Sequence, residues 1–169
     1  MKRSISSDQT ESNIREVMQL LREMPSKLEA LTKDLSAEQR QMSLEHGERT
    51  PTEILAHILH CEELTSQAIY LAVLKDEPLL PDIHAERELG KLLRLDMLSF
   101  DELLTYYKVR RSILMRVLES LTEKKWSRVV REEKKARKES VYWQARGQAL
   151  HELEHLLDLE SKLRGKSLK

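Results

Sequence analysis

The chain has little of what builds sheets, covalent staples or membrane spans. Cys61 is the single cysteine in 169 residues, so no internal disulfide can form, and a reducing compartment suits it. Glycine and proline number four each and aromatic residues make up 4%, which disfavours a fold of many tight turns and aromatic or β-branched strands. Net charge is zero, 29 Lys plus Arg against 29 Asp plus Glu, so nucleic-acid binding is not expected. Apolar runs are only a few residues long and the opening, MKRSISSDQTES, is polar. Neither a membrane span nor a secretory signal is read there, and the expectation is a soluble, cytoplasmic protein.

What the chain does have is leucine, 30 of them, set at helical spacing. A chain this long can bury about 70% of its unfolded surface without disulfides or a structural metal. Residues 1–11 are polar and are expected to be disordered. Ile14, Val17, Met18, Leu21, Met24, Leu28, Leu31 and Leu35 then recur every three or four residues, which predicts a first helix with a kink or break at Pro25. Ser36 opens a short helical turn, with Gly47 in the loop beyond it.

Thr50, Pro51 and Glu53 form a helix start: an N-cap, a proline at the first helical position and an acid at the positive dipole end. The second helix is predicted over 51–75, followed by a long connection over 76–98 with some helix around 84–97. Ser99 with Asp101 and Glu102 opens a third helix, whose apolar stripe is read as Leu103, Tyr106, Tyr107, Ile113, Leu114, Val117 and Leu121. Residues 122–139 hold eight basic and four acidic residues and read as a solvated loop with a helical turn or hairpin. A fourth helix is predicted over 140–164, ending before Gly165. Four main helices in one bundle, forming one domain over 1–169, is the simplest all-α architecture.

Three of the six histidines make a pattern. At 100° per residue, Leu64, Ala68 and Cys61 fall within about 40° of His57, which places His57 in the middle of the second helix's buried face. His60 lies to one side, and Glu62 and Glu63 are turned away. On the fourth helix, His151 and His155 in the string HELEH are one turn apart on one face, so two imidazoles can reach a single ion. Three neutral imidazoles that leave other positions open form a recognised catalytic metal site, and His57, His151 and His155 are the candidate ligands. His46, His60 and His84 are assigned no role, and Glu154 and Asp158 are pocket candidates. HELEH also matches a metalloprotease motif with Glu152 as general base. That reading lacks a third ligand well downstream and a substrate-binding sheet edge. Leu150, Leu153, Leu156 and Leu157 lie off the histidine face, and an exposed strip of this kind predicts a homodimer.

The phrases TPTEILAHILHCEE, YLAVLKDEPLLP, SFDELLTYYKVRRSILMRVLESL with Trp126 after it, and ALHELEHLLDLESKL resemble in order the DinB/YfiT-like family of metalloenzymes. The resemblance implies an up-down-down-up four-helix bundle, often dimeric. It also implies a divalent metal, nickel or zinc before iron or manganese, held by three histidines that fall here on His57, His151 and His155. The family often has a Gln where this chain has Asp158, and a Trp where it has Arg49 and Thr50. Metal-dependent hydrolysis and transfer of low-molecular-weight thiols to small-molecule substrates are the activities implied, since a bound ion can lower the pKa of either water or a thiol. The competing reading is a helical interaction module with structural histidines.

Overall fold

The computed structural model describes residues 4–44 and 46–166, with side chains through Arg164. Helix α1 spans Glu11–Thr32, α2 Ala37–Arg40, α3 Pro51–Leu74, α5 Phe100–Glu119, α6 Glu123–Trp126 and α7 Val141–Lys166. Between α3 and α5 run the pair β1 Leu79–Leu80, a π-turn at Ala85–Leu89, α4 Gly90–Leu93 and a 3₁₀ turn at Leu95–Met97. Strands β2 Val129–Glu132 and β3 Glu139–Ser140 follow α6, β2 pairing parallel with β1 and antiparallel with β3. The hairpin and helical turn read for the basic segment are therefore both present.

The four long helices form an up-down-down-up bundle. Helix α7 packs on α3 and α1, and α5 packs on α1 and α3. Reciprocal capping boxes start α3, where Thr50 and Glu53 exchange hydrogen bonds with each other's backbone N–H, and α5, where Ser99 and Glu102 do the same. Such ends fix where each helix begins, and therefore which residues face inward two turns later.

Several expectations change. Residues 1–3 of the N-terminal segment lie outside the described residues, and within the rest Ile5 and Ser6 are docked on α7. Ile5 is 2% exposed, its carbonyl accepts from the Arg146 guanidinium, and the Ser6 carbonyl accepts from the Tyr142 hydroxyl at 2.7 Å. One buried isoleucine and four hydrogen bonds to the Ile5 and Ser6 carbonyls oppose the entropy of ordering this polar segment. Helix α1 runs through Pro25 without a break, and α7 continues through Gly165 to Lys166. On α5, Tyr106 and Ile113 face solvent, and the buried stripe is Phe100, Leu103, Leu104, Tyr107, Arg111, Leu114, Met115 and Leu118. The α7 leucines do not form an exposed strip: Leu153 is buried, Leu150 and Leu156 pack against the core, and only Leu157 is exposed. A dimer through that helix loses its motive.

The largest departure is in the centre of the bundle. Glu62, read as turned away from the core, is fully buried. Helix α3 is enclosed by α5, α7 and the long connection, so almost its whole circumference is interior. Arg111 of α5 donates from Nε to Glu62 at 3.1 Å and from Nη2 to Glu152 of α7 at 2.5 Å. Its Nη1 donates to the backbone carbonyl of Leu21 on α1 at 2.6 Å. Leu21 is four residues before Pro25, whose ring nitrogen has no hydrogen to give. The proline thus frees the carbonyl that Arg111 takes, and one guanidinium touches all four long helices.

Candidate metal centre

The capping box at Thr50 places His57 two turns into α3, on the side that meets α7. There it faces His151 and His155. The Nε2 atoms of His57 and His151 are 3.1 Å apart, as are those of His155 and His151. The three ring centroids lie 4.6–4.9 Å from one another with planes at 73–90°, so the imidazoles meet edge to face around a common point. Sequence reasoning placed these three together, and the structure brings them together.

Their electrostatics suit cation binding. Burial, then the Arg49 charge and the neighbouring imidazoles, hold His57 down at about 3, and burial with His151 beside it holds His155 at about 4. Burial also lowers His151, although Glu152 and Glu154 partly oppose it. All three rings are therefore neutral at ordinary pH, the form that ligates a metal. Two nitrogens each about 2.0–2.1 Å from a shared ion stand roughly 3 Å apart, close to the spacing observed. The residues present fit a divalent cation.

A carboxylate that sequence reasoning missed sets the tautomer of His57. Glu86, in the π-turn of the long connection, lies 2.7 Å from His57 Nδ1. Burial and the surrounding positive groups outweigh its pull, so the contact is a neutral N–H donating to a carboxylate, which leaves Nε2 with its lone pair free. Arg49 donates to the same carboxylate. No periodic signal marks Glu86, because it sits in an irregular connection. Arg111 did carry a signal: it falls on its helix's own stripe, between Tyr107 and Leu114.

Glu152 cannot serve as the base of a metalloprotease. It is 1% exposed, and Arg111, Tyr107 and Gln148 all donate to it. Glu154 and Asp158 are exposed, Asp158 accepting from Lys162 at 2.6 Å. His84 caps the π-turn, accepting at Nδ1 from the backbone of Glu86 and Arg87. His60 is buried beside the cavity, its ring lying where a Cβ on Gly90 would come within 3.2 Å. Cys61 is partly buried, with Sγ 3.9 Å from His57 Nε2. Burial pushes its thiol up to about 11, which removes it as a free nucleophile at neutral pH.

A cavity of about 430 Å³ opens beside His57, lined among others by Arg49, Glu53, His60, Glu86, Lys91 and Arg94. Its size admits a small molecule, and its wall carries charges of both signs.

A sequence profile of the DinB superfamily matches residues 20–159. Among solved structures, the chain is similar to YfiT from Bacillus subtilis, described as a probable metal-dependent hydrolase with an unusual four-helix bundle topology. The TM-score is 0.85 at 13% identity, covering 98% of this chain and 94% of that one. No curated protein matches the sequence.

Proposed function

The chain belongs to the DinB superfamily, and from that premise we propose that it is a metal-dependent hydrolase in which His57, His151 and His155 hold a divalent cation, zinc or nickel. The approach of His151 Nε2 to the Nε2 atoms of both His57 and His155, at 3.1 Å each, carries this reading. A bound ion would bring the pKa of a coordinated water toward neutrality and supply hydroxide for hydrolysis.

The chain's own residues prepare the site. Glu86 holds His57 in the tautomer that presents Nε2, and Arg49 holds Glu86. The buried contacts of Arg111 with Glu62 and Glu152 fix α3 and α7 relative to each other, and with them the two halves of the ligand set. A small-molecule substrate enters the cavity beside His57, where Lys91 and Arg94 can meet a negatively charged group. No helix among the described residues is long and apolar enough to cross a membrane; our proposal of a cytoplasmic location rests on the single cysteine, which suits a reducing compartment.

The test is hydrolysis of a panel of small esters, amides and lactones by protein stripped with chelator and then reloaded with zinc or nickel. The expected result is acid release that needs the ion and disappears in His151→Ala. Ion-bound protein that hydrolyses none of them, but transfers a low-molecular-weight thiol to an electrophile, would replace hydrolysis with thiol transfer.

A further inference from the structure

Cys61 stands one turn beyond His57 on α3, as His155 stands one turn beyond His151 on α7. The packed helices therefore face each other with two i, i+4 pairs of metal-binding side chains, three imidazoles and one thiol. The sulfur is 3.9 Å from each ring nitrogen of His57. One donor atom each from His57, Cys61 and His151 all lie within 4.8 Å of one another. Nitrogen and sulfur donors at about 2.0–2.1 Å and about 2.3 Å from one tetrahedral ion stand roughly 3.6 Å apart. A rotation of the Cys61 side chain that carries the sulfur to the Nε2 side of His57 would bring it to that spacing.

We infer that Cys61 is the fourth ligand of the ion that the three histidines hold, so that the site has an N₃S donor set. The inference rests on the three-histidine reading and adds to it. On coordination the thiol gives its proton to solvent and the sulfur binds as thiolate, with no change of oxidation state. A thiolate favours zinc over manganese or magnesium at this site. It also fills one of the positions that three histidines alone would leave open. With four protein donors holding the ion, a water to be activated would have to bind in addition to them or displace the sulfur.

Cobalt(II) added to metal-free protein distinguishes the possibilities, because the absorption spectrum reports ligand type without relying on activity. The wild-type chain should bind one equivalent, with visible ligand-field bands and an intense near-ultraviolet sulfur-to-cobalt band. In Cys61→Ser the visible bands should remain, the near-ultraviolet band should vanish, and affinity should fall about tenfold or more, at least as much as loss of an outer-shell partner. Ligand-field bands without the sulfur band in wild type would overturn the role of Cys61 and leave the histidine site standing. Wild-type protein that binds no cobalt would overturn both. Should Cys61→Ser fail to fold by circular dichroism, the wild-type spectrum still decides, since the chain has no other cysteine to give that band.

Discussion

Arg111 donates a 2.6 Å hydrogen bond to the carbonyl of Leu21, an acceptor that is vacant in α1 because residue 25 is proline. A proline inside a helix ordinarily costs about 3 kcal/mol or more, partly by orphaning a carbonyl. Here the orphan becomes an anchor for a buried cation, and the same cation balances Glu62 and Glu152.

Removing the guanidinium should therefore be severe. Arg111→Met leaves the buried Glu62 carboxyl and the Leu21 carbonyl without their donor and Glu152 without its cation, and should cost about 3–5 kcal/mol in urea denaturation. In a Pro25→Ala background the new N–H satisfies Leu21, so the penalty of Arg111→Met should shrink. A coupling of about 0.5 kcal/mol or more is expected from the double-mutant cycle; strict additivity would disconnect the two residues.

The Glu86 contact yields a milder prediction. Its side chain is 39% exposed, so Glu86→Ala should leave the melting temperature nearly unchanged. It should lower metal affinity about 10- to 100-fold by freeing the His57 tautomer. Competition against a chromogenic chelator measures this, and unchanged affinity would make Glu86 irrelevant to the site.

Acidity should weaken the metal-free fold in a defined window. His57 and His155 titrate at about 3 and about 4 in the folded chain, against about 6.5 unfolded. Between those values the unfolded chain takes up protons that the folded chain refuses. Their contribution is thus complete above about pH 6.5 and is lost as pH falls toward 4. Glu62 acts oppositely, since burial raises it to about 7 and its contribution is lost as pH rises through that value. Thermal melts between pH 6.5 and 5 should fall more steeply in the wild type than in His57→Gln/His155→Gln. Parallel slopes would contradict the neutral cluster.

Helix starts and the histidine faces were legible in the sequence because each depends on local chemistry. Thr50, Pro51 and Glu53 cap α3 whatever packs on it, and a four-residue spacing puts His151 beside His155 in any helix. The buried ionic centre was not read, since hydropathy patterning assigns Glu62, Arg111 and Glu152 to the surface. Yet each lies on its own helix's core stripe: Leu55, Leu59, Glu62, Ser66 and Ile69 on α3, Tyr107, Arg111, Leu114 and Leu118 on α5, and Ala145, Ala149, Glu152 and Leu159 on α7. Three charged residues at stripe positions on three helices, two acids and one base, are the pattern that would have shown it. Glu86 and the docking of Ile5 depend on where irregular segments come to rest, which spacing does not encode.

Metal content of untagged protein tests the central claim most directly. Elemental analysis after purification should find about one zinc or nickel per chain, retained in His60→Ala and lost in both His57→Ala and His151→Ala. Folded wild-type protein that carries no divalent ion and takes up none on titration would contradict the metal centre and leave the histidines a structural role.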